Sequence, residues 1–263
     1  MKIYIVTDIE GISGVVTFAD SGRDTNRSGP RYEAARLLLT EDVNAAVQGA
    51  IDGGATEIIV NDGHDGGSNF VMEKLHPGAK YFTGSGRASL LDGLDKSTDA
   101  VMCVGYHAMS GTQKAVMDHT QSSKTWRRYF LNGIEMGEIG QMAVIAGYFN
   151  VPVVCVTGDL AATIEAKKLL GDIETTAVKE GCSRTSAICL APVKARELIR
   201  AAAKRSVGKI NKIKPYKIKT PIEIKLECTT TDVADGYEAR GAERLDAFTV
   251  RRVVPSALDI LKI

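Results

Sequence analysis

The chain has 263 residues, 44% of them hydrophobic and 25% charged, which is apolar material for one large α/β domain and too much for a disordered chain. Its 33 basic and 32 acidic side chains leave a formal charge of +1, so there is no electrostatic reason to expect a nucleic-acid or membrane partner. No run approaches the ~20 apolar residues of a membrane span, and the apolar stretch in the opening MKIYIVTD is too short for a signal peptide; the expectation is a cytoplasmic protein.

The first element is an apolar strand, KIYIVTD, followed by a Gly/Ser/Asp-rich loop from Gly11 to about Pro30. RYEAARLLLTEDVNAAVQGAIDGG comes next, with Leu37–Leu39, Val43, Val47, Ala50 and Ile51 at helical spacing before a glycine pair, which predicts a helix. TEIIVND and AVMCVGYHA are the second and third strands. YFLNGIEM carries Asn132-Gly133 between two extended pieces, a hairpin signal. GEIGQMAVIAGYF is a helix, VPVVCVTGD a fourth buried strand, and ARELIRAAAKRSVGKI a further helix. Continuous apolar strands separated by helices predict an α/β fold, a mainly parallel sheet flanked by helices.

Near the carboxyl end the pattern changes. KINKIKPYKIKTPIEIKLECTT is lysine-rich, with alternation from Ile222 to Leu226 that fits a partly exposed strand. This divides the chain into an α/β body over 1–204 and a smaller β-rich portion over 205–263. Only Tyr216 interleaves with the lysines, so the run reads as a solvated or edge-protecting face rather than a nucleic-acid patch.

Four buried strands finish in groups that can hold a ligand: Asp8, then Asp62 and His64, then His107, then Asp159. Parallel strands set their carboxyl ends along one edge, where open α/β sheets bind ligands, so residues far apart in sequence can converge. Asp8 and Glu10 stand at i and i+2 of a strand end, which aims both carboxylates one way, and Gly11 then permits a turn. Two carboxylates are costly to bury alone. A divalent cation would balance them; a solvated strand-end turn is the plain alternative.

The chain has four histidines. His64 and His107 each follow a strand closely, and His119 lies in VMDHTQ, while His76 in KLHPG reads as an ordinary turn. Imidazole with carboxylate suits zinc, manganese or iron better than magnesium or calcium. Glu138 opens a helix, where a first-turn glutamate is also favoured by the helix dipole. The five cysteines form no C-x-x-C pair and read as small thiols in a reducing compartment.

Taken together, DIEGISG, VNDGHD, EKLHPGA, GYHAM, MDHT, NGIEMGEIG and AGYFNVPVVCVTGD resemble the zinc D-aminopeptidases encoded with bacterial dipeptide-transport genes. The resemblance implies two divalent metal ions per subunit, zinc by preference. Asp8 would bridge them, Glu10 and His64 would complete one shell, and His107 and Glu138 the other. His119 would stand beside the metals as a catalytic group. It further implies short peptide substrates with an amino-terminal D-residue and a ring-like homodecamer. Val6 occupies the position of the family's S-x-D-x-E-G serine, which leaves the ligands but removes whatever hydrogen bond that serine makes.

In such a site three carboxylates against two dications leave a net positive charge, suited to a developing oxyanion. Asp159 is a further acid that could read a substrate amine. Two rival readings use the same residues: a haloacid-dehalogenase-like phosphatase with Asp8 as nucleophile, and a non-catalytic, metal-bound oligomeric binding module. The first wants a Ser/Thr and a lysine where histidines end the strands, and structural zinc sites usually want cysteine.

Overall fold

The computed structural model describes residues 1–87 and 91–263. Strand β1 (Lys2–Thr7) leads through helix α1 (Pro30–Asp52) to β2 (Glu57–Asp62), β3 (Lys80–Phe82) and β4 (Ala100–Tyr106). The hairpin β5 (Trp126–Leu131) and β6 (Ile134–Glu135) precedes α2 (Glu138–Tyr148), and β7 (Val153–Asp159) runs directly into α3 (Leu160–Leu170). Then come β8 (Glu174–Ser183), β9 (Ser186–Cys189), α4 (Pro192–Val207), β10 (Ile222–Cys228), α5 (Thr231–Glu238), β11 (Glu243–Arg244) and β12 (Thr249–Val254).

Seven strands form one sheet in the order β3-β2-β1-β4-β7-β8-β9. All neighbours are parallel except β9, which runs antiparallel to β8 at one edge. This is the expected mainly parallel sheet. Side chains alternate between two covered faces. Ile3, Ile5, Met102 and Val104 pack with α1 and α4, whereas Tyr4, Val6, Val101 and Cys103 pack with α2 and the second sheet. Burying each such aliphatic is worth roughly 1.5–3 kcal/mol.

That packing also fixes register. Thr7 lies opposite Asp62 on one side and Val104 on the other, so β1, β2 and β4 end nearly level. The chain steps outward from β1 to β2 to β3 and then returns to the far side of β1 as β4. The crevice at such a reversal is where open α/β sheets place ligands. Here Asp8 and His107 are the residues that leave its two walls.

The second sheet, β11-β12-β10-β5-β6, is antiparallel. In β10, Ile222, Ile224, Leu226 and Cys228 are buried while Glu223, Lys225 and Glu227 are half-buried, the alternation read from sequence. The carboxyl-terminal strands do not form this sheet alone. They pair with β5, which comes from the middle of the chain, through Ile224↔Leu131 and Leu226↔Tyr129. The expected division after residue 204 falls inside α4. Local patterning reveals the exposure of β10, whereas its partner is set by tertiary packing. No helix among the described residues is long and apolar enough to cross a membrane.

Candidate metal centre

The loop leaving β1 is pressed against the end of β4. Asp8 N–H donates to Val104 O at 2.9 Å and Gly11 N–H to Gly105 O at 2.7 Å. A Cβ at Gly11 would overlap the backbone of Gly105 and Tyr106, so this close approach requires glycine. The backbone bends by Ile9, and Ile9 itself enters the core. Asp8 and Glu10 nevertheless converge as expected: Asp8 Oδ1 lies 3.0 Å and Glu10 Oε2 2.9 Å from the same atom, His64 Nδ1.

On the other side, His107 Nε2 is 3.3 Å from Asp8 Oδ2 and 3.4 Å from Glu138 Oε1. His119 Nε2 reaches to 3.9 Å of the same Glu138 oxygen. All six predicted residues therefore meet at one place. They fall into two groups, Asp8 with Glu10 and His64, and His107 with His119 and Glu138; within each group the potential ligand atoms lie within 4.8 Å of one another. The two oxygens of Asp8 face one histidine in each group. His119 stands in the second group as close as a ligand would, although the resemblance gives it a catalytic place.

Each imidazole is held by its other nitrogen on a backbone carbonyl. His64 Nε2 is 3.0 Å from Ser21 O, His107 Nδ1 is 2.9 Å from Ala108 O, and His119 Nδ1 is 2.7 Å from Met117 O. A carbonyl only accepts, so each of these nitrogens carries the proton. In the neutral ring the remaining nitrogen then presents a lone pair toward carboxylates. Histidines that bind metals are typically fixed this way. Asp8 Oδ2, Glu10 Oε2 and His107 Nε2 are buried and make no well-formed hydrogen bond, although Glu10 Oε2 is close to His64. Buried, unpaired polar atoms are rare. Three of them spread over the two groups fit bound cations.

The electrostatics agree. Burial alone would push the Asp8 carboxyl up, but the facing imidazoles of His107 and His64 hold it well below the usual carboxylate range. Burial likewise lowers His64 and His107, and the facing carboxylates, Glu10 for one and Glu138 for the other, overcome it and raise both well above the ordinary value. Glu138, pushed up by burial, is brought down by His107. The centre strongly favours added positive charge. His119 differs, since burial and then the neighbouring His107 lower it.

Asp62 and Asp159 serve as braces instead. Asp62 accepts from Asn69 N and Asn69 Nδ2 at 2.6 and 2.7 Å, and Asn69 in turn donates to His64 O at 2.7 Å. Asp159 caps α3 through Ala162 N and binds Val116 N, both at 2.8 Å, so its oxygens are occupied and it is not among the residues lining the cavity. His76 keeps to its turn, with Nε2 3.0 Å from Gln48 Oε1. Val6 is buried and also lines the cavity.

Some residues that sequence reading passed over also shape the site. Lys179, buried in β8, donates to the carbonyls of Glu10, Ile12 and Val15 and so pins the loop that carries the first carboxylates. A lone lysine in a strand gives no signal of this. Gln121 N–H donates to Glu138 Oε1 at 2.8 Å. The centre opens into a cavity of about 570 Å³ whose wall includes Arg23, Met142, Ile145 and Leu261.

An α/β sheet with clustered carboxylates and imidazoles buried at its reversal point defines a candidate metal-dependent hydrolase. The chain belongs to the D-aminopeptidase family, the M55 peptidases, whose model matches residues 1–263. Over 218 residues it is 38% identical to a D-aminopeptidase of Bacillus subtilis strain 168, covering 82% of this chain and 77% of that protein. A solved structure described as the Zn-dependent D-aminopeptidase DppA from Bacillus subtilis, a self-compartmentalizing protease, superposes with a TM-score of 0.93 at 32% identity. That match covers 100% of this chain and 94% of that one. The enzyme class is thus an aminopeptidase, and the phosphatase and binding-module readings give way to it.

Proposed function

We propose that this protein is a zinc-dependent aminopeptidase with two metal ions per subunit, acting on short peptides that begin with a D-residue. The observation that carries the reading is the common posture of His64, His107 and His119: one nitrogen on a backbone carbonyl, the other turned to carboxylates. Asp8 would be shared between the ions, Glu10 and His64 would hold one, and His107 and Glu138 the other. When bound, such ions supply Lewis-acid polarisation of the scissile carbonyl and a lowered pKa for the attacking water.

The chain's own residues contribute the rest. Three carboxylates neutralise most of the cations' charge and leave an excess that favours the oxyanion. His119, fixed by Met117 and made less basic by burial and by His107, would carry a proton from the water to the leaving amine. A group in that role is worth roughly 10²–10⁴ in rate. The wall of Met142, Ile145 and Leu261 gives an apolar side chain a place to lie.

The related structure's self-compartmentalizing character supports assembly of this chain into a closed homo-oligomer, and we extend the reading to a ring-like decamer. Exposed Ile164, Ile188 and Val193 offer apolar surface that subunits would cover.

The test is elemental analysis of purified protein combined with a matched panel of D- and L-dipeptides. Two equivalents of zinc and preference for a free amino-terminal D-residue are expected. Cleavage of L-peptides alone would overturn the substrate assignment, and full activity after exhaustive chelation the metal assignment.

A further inference from the structure

We infer that Arg23 forms a carboxylate-binding subsite that grips the C-terminal carboxylate of the substrate and so restricts the enzyme to short peptides. The inference rests on the proposed peptidase reading and names how the far end of the substrate is recognised.

Arg23 lines the same cavity as Asp8, Glu10, His64, His119 and Glu138. Its guanidinium makes no hydrogen bond or ion pair with any described residue, and Nη1 is buried without a partner. Buried guanidinium nitrogens left unpaired are costly, and five donors in a planar fork match a carboxylate. The other arginine on this wall is committed. Arg87 donates to Gly84 O at 2.6 Å, Asn61 Oδ1 at 2.9 Å and Asp62 O at 2.8 Å. Lys124 is exposed at the cavity.

Position makes the assignment specific. The guanidinium carbon of Arg23 sits 4.3 Å from the centroid of the Phe18 ring, and Phe18 meets His119 edge-on with centroids 6.2 Å apart. These two contacts keep the charge within roughly 10 Å of the catalytic imidazole, the reach of two to three extended residues. Arg23 is also two residues beyond Ser21, whose carbonyl fixes His64. The loop that orients a candidate metal ligand thus also sets the distance to the cation. A peptide with its amine and scissile bond at the carboxylate-imidazole centre meets Arg23 with its other end only if it is short. The one group at that end of every short peptide that needs a cation is the free carboxylate.

The experiment compares kcat/KM for a D-dipeptide and for its C-terminal amide, in the wild-type protein and in Arg23→Met and Arg23→Lys. Wild-type protein is expected to prefer the free acid by ~10–100-fold, the range of a charge-assisted hydrogen bond. Arg23→Met should bring the acid-to-amide ratio close to one, whatever happens to absolute rates through Phe18, and Arg23→Lys should retain part of the preference. Equal use of acid and amide by wild-type protein, or an undiminished ratio in Arg23→Met, overturns the subsite while leaving the peptidase standing. Hydrolysis of neither compound overturns both.

Discussion

The imidazole rings of His107 and His119 lie stacked, their centroids 3.9 Å apart and their planes 11° from parallel. Two imidazolium ions so arranged would repel, and the pair resolves this by asymmetry. His107 faces Asp8 and Glu138 and is raised, while His119, more distant from Glu138, is lowered by burial and by His107 itself. His119→Ala should therefore keep two equivalents of metal and lose ~10²–10⁴ of kcat. Metal content and single-turnover rates measured together decide it. Loss of one equivalent would make His119 a ligand, as its place in the second group of potential ligands allows.

Asp8 is the residue whose two oxygens face both groups. Asp8→Ala should abolish high-affinity binding of both ions and activity with them, because each group loses a donor and two raised histidines each lose a facing counter-charge. Calorimetric titration with zinc reports this directly. A variant that still takes up two equivalents would remove Asp8 from the shared position.

Much of this was legible in the sequence, and the reason is geometric. A parallel sheet converts residues at the ends of separate apolar runs into neighbours, so Asp8, His64 and His107 could be placed from strand ends alone. Hydrophobic patterning also gave α1, α2, α4 and the hairpin around Asn132-Gly133. It did not give α3, which follows directly on Asp159 without a loop to announce it, nor β8, six of whose ten residues are not buried. Asp62 and Asp159 show the limit. They share the strand-end signature of Asp8, yet their oxygens are taken by backbone amides and, for Asp62, by the Asn69 side-chain amide as well, and only tertiary structure separates a brace from a ligand. The partner of β10 was hidden for the same reason: β5 lies about a hundred positions earlier, and alternation specifies a face, not a neighbour.

Lys179 yields the next prediction. Its ammonium serves three backbone carbonyls, those of Glu10, Ile12 and Val15, in a buried setting. Lys179→Met keeps the volume and removes the donors, leaving buried acceptors unpaired at ~1–3 kcal/mol each. Destabilisation of roughly 3 kcal/mol or more is expected in chemical denaturation of the metal-free protein. Zinc affinity should fall by ~10–100-fold as well, the usual effect of losing a group that supports a ligand from behind. A variant with altered stability but wild-type zinc affinity would confine Lys179 to the fold.

Asp42, buried in α1, makes a pH prediction. Neither of its oxygens makes a hydrogen bond, and Arg196 Nε of α4 stands 3.5 Å away. Burial dominates over that arginine and pushes the carboxyl up to about 7. A folded-state pKa above the unfolded value means that protonation favours the folded form. Its contribution is complete below the unfolded value near 4 and is lost as pH rises to about 7. Asp42→Asn cannot titrate, so its stability relative to wild-type protein should improve over that window, by up to roughly 4 kcal/mol, and level off above it. Urea denaturation of both proteins at matched pH values from 4 to 7, without metal, reads the difference. A gap independent of pH would mean that Arg196 keeps Asp42 ionised throughout, and that the α1–α4 contact is held by an ion pair rather than strained by a buried acid.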